Sequence, residues 1–209
     1  MVKIYSPPPS REIDPQYHVI SAGTILKRIF DPTSYGATAS GFRYNGPRSR
    51  FDHHSRVDGK PADDPNRGII YAGYTLSCCL VEIFGDEELI TIGQQELATI
   101  KLNRSIRVLD LRGEGCWNAG LNTTIANNDR RRLTQKWSKY FYETPKKYVD
   151  IEGIIFSSAK NGEDALAFYE RAKIQITSAL ISTQTMKDKS LRKEIHLAAK
   201  KLHLPIQFV

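Results

Sequence analysis

Cysteine is scarce in this chain, three in 209 residues, and the placement of the three excludes most cysteine chemistry. Cys78 and Cys79 are adjacent, where a mutual disulfide is geometrically disfavoured, and Cys116 stands alone. No Cys-x-x-Cys pair or Cys/His spacing suggests zinc, so no metal is expected and the thiols read as small core residues. Long apolar runs are missing too: nothing approaches the ~20 residues of a membrane helix. The N-terminus lacks the charged, apolar and small-residue succession of a signal peptide, so the expected location is cytoplasmic. Internal repeats and an evident interdomain linker are absent. The glycine-rich stretch 112–120 lacks the Gly-x-Gly-x-x-Gly spacing and sits outside a βαβ unit, which argues against a Rossmann or P-loop reading.

What remains suits one globular domain. The chain is 40% hydrophobic and long enough for a sizeable core. Residues 1–17 carry Pro7-Pro8-Pro9, which favours polyproline II, and read as an N-terminal arm; residues 18–209 read as a single domain. The net charge is +7 with a pI near 9.3. That balance suits an anionic ligand, an acidic partner or nucleic acid. The basic residues are spread, with local clusters only at Arg130-Arg131-Arg132 and near the C-terminus.

The stretch 68–86 organises the rest. Ile69, Ile70 and Tyr71 read as a short buried strand between glycines. Thr75 offers a helix N-cap, and Leu76, Cys79, Leu80, Ile83 and Phe84 recur at helical steps. Glu82 lies off that stripe, either solvated or presented to a site. Upstream, residues 24–30 read as a strand ended by Asp31-Pro32, with Arg28 inside it. An arginine there either snorkels to water or is held where an anion compensates it. Residues 33–67 read as a long loop holding Arg43, Tyr44, Arg48, Arg50, Phe51, His53 and His54. Cations alternating with aromatics suit a ligand with phosphates and flat rings, or single-stranded nucleic acid.

Downstream, strands are expected at 96–102, 106–111, 153–156, 165–169 and 174–177, with a last edge strand over 205–209. A helix is expected over 128–143, with Leu133, Trp137, Tyr140 and Phe141 as its stripe. A basic helix over 190–203 would be capped by Ser190 and closed by Pro205. The 153–156 strand opens into Ser157-Ser158 and an Asn161-Gly162 turn.

In this order the pieces resemble the RES domain family, named for an arginine, a glutamate and a serine. The resemblance rests on Leu26-Lys-Arg28-Ile-Phe, Arg50-Phe51, Ile69-Ile-Tyr71-Ala, Leu80-Val-Glu82, the Arg131 to Trp137 helix, Gly153-Ile-Ile-Phe-Ser-Ser158 and Ala165-Leu-Ala-Phe168. Two features depart from the family pattern: Phe51 is followed by Asp52 and two histidines, and the interval from Arg50 to Tyr71 is long. The resemblance implies an α+β, ADP-ribosyltransferase-like fold, mainly antiparallel strands in two small sheets flanked by helices. It implies an NAD-consuming enzyme that breaks the nicotinamide–ribose bond by phosphorolysis or hydrolysis, an NAD phosphorylase or glycohydrolase. No tightly bound cofactor is implied; NAD is the substrate and inorganic phosphate a candidate co-substrate. Glu82 would stabilise the developing cation, Arg28 and Arg50 would hold phosphates, Tyr71 would meet the nicotinamide side, and Ser158 rather than Ser157 would orient ribose or amide. The biological role implied is the toxin of a toxin–antitoxin pair, with an Xre-type helix-turn-helix antitoxin as partner; a homodimer is left open. Protein ADP-ribosylation and a basic nucleic-acid-binding module are the alternatives.

Overall fold

The computed structural model describes residues 5–121, 131–148 and 150–209. In chain order, β1 (Tyr17–Ile20) and β2 (Ile25–Phe30) precede three short strands, β3 (Asn45–Gly46), β4 (Arg56–Val57) and β5 (Lys60–Asp63). Next come β6 (Ile69–Gly73), α1 (Leu76–Phe84), β7 (Ile90–Ile92), β8 (Glu96–Lys101), β9 (Ile106–Asp110) and α2 (Glu114–Asn118). α3 (Arg131–Glu143) leads into β10 (Gly153–Ser157) and β11 (Asp164–Tyr169). The chain closes with α4 (Lys173–Ser178), β12 (Leu180–Thr185), α5 (Arg192–Leu202) and β13 (Ile206–Phe208). The expected helical residues 128–130 lie outside the described residues.

The α+β class with mainly antiparallel strands is as expected. One sheet holds eight strands in the order β1-β9-β10-β11-β6-β2-β8-β12; β13 pairs with β7, and β3, β5 and β4 form a third, small sheet. Within the large sheet only β9 and β10 run parallel among the described pairings. Side chains alternate across it with period two. Ile69, Ile154, Phe156, Ala165, Ala167 and Tyr169 face one core, shared with Trp137 and Phe141 of α3. Ile70, Ala72, Ile155, Leu166 and Phe168 face a second core, with Leu26, Ile100 and Ile176. The central strands β6, β10 and β11 are therefore apolar on both faces, because both faces are covered.

α1 forms as its sequence indicates. Thr75 sits in extended geometry and its hydroxyl accepts from Cys78 N at 3.0 Å. Leu76, Cys79, Leu80 and Phe84 pack against Leu191, Ile195, Ala198 and Ala199 of the α5 region. Ile83 departs from the expected stripe: it is exposed. The described part of the arm, from Tyr5 on, lies over the domain, with Trp137 Nε1 donating to Tyr5 O at 2.7 Å and Arg11 stacked on Trp117 at 3.8 Å.

Several local expectations are corrected. Residues 174–177 are helical, not a strand: α4 buries Ile176 and leaves Ile174 exposed, whereas a strand would put both on one face. The 112–120 stretch contains the short helix α2. The C-terminal helical segment is capped by Asp188, whose side chain accepts from Ser190 N at 2.8 Å, rather than by Ser190. The strands β8 and β9 are consecutive but do not pair, lying on opposite sides of the sheet centre. Inside the long loop, Asp58 and Gly59 both take positive φ and turn β4 into β5. Asp-Gly between two short extended runs is a hairpin signal that the sequence did contain.

Candidate active site

β2, β6 and α1 converge on a narrow slot of about 90 Å³ lined by Arg28, Tyr71, Cys79, Glu82, Ile83 and Phe156. It continues, through Arg28, Ile29, Tyr71 and Ile83, into a broad cleft of about 870 Å³. The cleft walls carry Tyr35, Arg43, Tyr44 and Arg48. Its volume falls in the range of small-molecule sites.

Arg28 comes from β2 and points into this wall. Its Nη1 donates to Tyr71 O at 3.1 Å, while its buried Nε has no partner among the described residues. No carboxylate pairs with it among the described ion pairs. Burial pulls its pKa down to about 10, and the nearby Arg43 adds to the fall. A buried guanidinium with an idle donor and no described counter-charge has the donor capacity to hold an anion.

Tyr71 is fixed by its hydroxyl, which donates to Asp52 Oδ1 at 2.9 Å and accepts from Phe51 N at 3.0 Å. Burial first, then the Asp52 charge, push the phenol well above its usual pKa. Its hydroxyl is therefore committed, and the ring is what the slot receives. Asp52 is the hub of this region. Fully buried, it also accepts from Arg43 Nη2 at 2.7 Å, Arg48 N at 2.5 Å and Ser49 N at 2.9 Å. One carboxylate thus ties the arginine loop to β6. Sequence reasoning noted Asp52 only as a departure from a pattern. The available signal was its position beside Phe51, a residue that packs at 4.6 Å on Phe156 in the core.

Glu82 is exposed at the slot, on the second turn of α1. Ser158, buried at the end of β10, donates to Glu82 Oε1 at 2.5 Å. Lys160 N donates to Ser158 Oγ at 3.3 Å, which directs the hydroxyl proton toward the carboxylate. Of the two serines, Ser158 is the one joined to Glu82. The turn that allows this is the expected one, with Gly162 at φ +73° and Asn161 Oδ1 accepting from Glu163 N at 3.1 Å.

Arg28, Tyr71, Glu82 and Ser158 are thus brought together. Arg50 is not: it stands outside the cleft lining, with its carbonyl held by Thr134 Oγ1 at 2.7 Å. Its charge acts instead on Asp86 beyond α1, together with Lys160 and Arg131. The histidines also lie elsewhere. His53 is packed between Tyr142 and Tyr169 at 4.4 Å from each, with Nε2 3.1 Å from Glu170 Oε2. Burial lowers the pKa of both His53 and His54. Among the described residues no group of three metal-binding side chains occurs.

A family model described as the RES domain matches residues 25–187. The chain belongs to the RES domain family. Among solved structures, the crystal structure of the M. tuberculosis MbcT–MbcA toxin–antitoxin complex matches at 14% identity and a TM-score of 0.45, covering 79% of this chain and 85% of that one. No curated protein matches the chain. The matched span of the RES domain begins with β2 and ends just past β12, so it contains Arg28, Tyr71, Glu82 and Ser158. It excludes the arm, β1, α5 and β13. No helix among the described residues is long and apolar enough to cross a membrane.

Proposed function

We propose that this RES domain cleaves NAD at the bond between nicotinamide and its ribose, and that it acts as the toxin of a toxin–antitoxin pair. The observation that carries the reaction is the pairing, in one slot, of an uncompensated buried cation with an exposed carboxylate. Arg28 has the donor capacity and the missing counter-charge that a pyrophosphate supplies. Glu82 stands on the helix forming another wall. The broad cleft beyond, with Arg43, Arg48, Tyr35 and Tyr44, has the phosphate and ring partners that the rest of a dinucleotide needs.

In this reading the slot takes the nicotinamide ring against the face of Tyr71, whose hydroxyl is locked to Asp52. The C1′–N bond breaks with both electrons leaving on nicotinamide, which departs neutral, and C1′ gains oxocarbenium character. Glu82, which lines the slot and is held by Ser158, would offset that charge electrostatically. An oxygen of phosphate, or of water that gives up a proton to the solvent, then bonds to C1′, giving ADP-ribose 1″-phosphate or ADP-ribose. Membership of the RES domain family supports the toxin role, and the partner proposed here is an Xre-type helix-turn-helix antitoxin that covers the cleft.

The test is to incubate the purified protein with NAD, with and without inorganic phosphate, and to weigh the products. Nicotinamide release is expected, with the phosphorylated product appearing only when phosphate is present if phosphate is the acceptor. No loss of NAD under either condition overturns the reading.

A further inference from the structure

Away from the slot and its cleft, a second groove of about 970 Å³ runs along α3, and it shares no lining residue with them. Its described walls carry five cations, Arg56, Arg131, Arg132, Lys136 and Lys139, and no carboxylate among the described lining residues; Lys139 is paired at 3.7 Å with Glu143 beside the groove. Arg131, Arg132 and Lys136 are exposed and make no ion pair among the described residues. On the helix, Arg132 and Lys136 stand four residues apart and Lys136 and Lys139 three apart, so like charges face one another along one stripe. Such pairs cost a helix stability rather than adding to it. A recessed wall of one sign also focuses potential outward.

The groove is already built. Arg56 Nη2 donates to Gln135 Oε1 at 2.7 Å, and Gln135 Nε2 donates to Ser49 O at 2.9 Å. Lys139 Nζ reaches Ser55 Oγ at 3.1 Å. α3 and the loop opposite are therefore stapled together before anything binds, which limits the ordering cost of an occupant. Between the cations the lining includes Leu133 and Pro47, and among the described lining residues the only aromatic ring is that of His54, which is buried. Binding of single-stranded nucleic acid relies on open aromatic stacking faces, which the described lining does not offer. Small apolar patches between cations instead match side chains of a polypeptide.

We propose that the groove between α3 and the loop carrying Pro47 and Arg56 docks an acidic protein segment with apolar side chains between its carboxylates. The site is separate from the NAD cleft and does not depend on NAD turnover. The test is fluorescence anisotropy with a fluorescein-labelled peptide of repeating Glu-Leu-Glu-Ala units, against single-stranded and duplex oligonucleotides of matched charge. The peptide is expected to bind at least about tenfold more tightly than either oligonucleotide, and to weaken as salt shortens the range of the charges. Arg132→Glu combined with Lys136→Glu should lower peptide affinity by at least about tenfold, because both side chains are exposed on the groove wall. Lys193→Glu with Lys200→Glu on α5 makes the same change in net charge and should alter affinity by less than about twofold. Circular dichroism of both double variants checks that α3 and α5 persist. Tighter oligonucleotide binding would make this a nucleic-acid groove and overturn the proposal. An equal effect of the α5 changes, or no peptide binding, would reduce the groove to solvated surface charge.

Discussion

Arg28→Met separates what the buried cation costs the fold from what it does for a ligand. The guanidinium pKa falls from its ordinary value near 12.5 to about 10, chiefly through burial. At ~1.4 kcal/mol per pH unit this is roughly 3 kcal/mol against the charged form. At neutral pH the arginine is charged in both folded and unfolded chains, so the folded state carries the whole penalty. Methionine removes it and fills similar space, but forfeits the bond to Tyr71 O, worth ~1.5–3 kcal/mol for a charged donor. The balance is a variant between equally stable and about 1.5 kcal/mol more stable, raising Tm by up to about 6 °C. The same variant should lose at least ~10²-fold in kcat/KM for NAD, since the phosphates lose a partner made for them. Arg28→Lys should restore only part of this, because the planar fork is gone. Calorimetry with and without inorganic pyrophosphate completes the assay: pyrophosphate should raise the Tm of the parent protein and leave Arg28→Met unmoved. A variant destabilised by more than ~3 kcal/mol would show that Arg28 is a structural residue with compensation, and the anion argument would fail.

Four further outcomes are expected. Glu82→Gln should lower NAD cleavage by ~10²-fold or more with the fold intact, because the side chain is exposed; near-normal turnover would return Glu82 to the solvent. Asp52→Asn removes the charge that Arg43 and three other donors share, so urea unfolding should show a loss of about 3 kcal/mol, and less than ~1 would contradict its role as hub. His53 and His54 have pKa values lowered by burial, so the unfolded chain binds protons first, and stability should decline as pH falls below ~6.5 by at most ~1.4 kcal/mol per pH unit for each; a His53→Gln variant with an unchanged slope in thermal scans would refute this. Expression of the chain alone should arrest growth and lower cellular NAD, with relief on co-expression of the antitoxin; verified expression with normal NAD would refute the toxin role.

The fold was legible in the sequence where signals are local. Thr75 and the stripe behind it define α1, and Asp31-Pro32 ends β2, because caps and breakers act within a turn or two of themselves. Double-faced apolar runs mark β6, β10 and β11. The failures have the opposite character. β12 exposes most of its residues and carries no burial pattern to read. α4 hides its type because Ile174 and Ile176 alternate like strand residues while only one of them is buried. The sheet order depends on pairings such as Ile154 with Leu109 and Lys27 with Gly73, which no local pattern encodes.

The site shows the same limit in its electrostatics. Arg28 and Arg43 look alike in sequence, each a cation among apolar or aromatic neighbours. The fold treats them differently. Arg43 is given Asp52, nine residues away, and that pairing anchors the loop to Tyr71. Arg28 receives one carbonyl and keeps an idle Nε. Glu82 could have answered it, but its carboxylate is engaged by Ser158 from the far end of β10. A carboxylate held off the cation in the same slot leaves positive charge at one wall and negative charge at another. Mutual neutralisation would have made the pair a structural salt bridge. Kept apart, the two charges can meet opposite ends of one polar ligand, an anionic phosphate at Arg28 and a developing ribose cation at Glu82. The chemistry proposed for the slot therefore depends on which cation the fold leaves unpaired, a fact set by tertiary contacts between residues 76 positions apart in the chain.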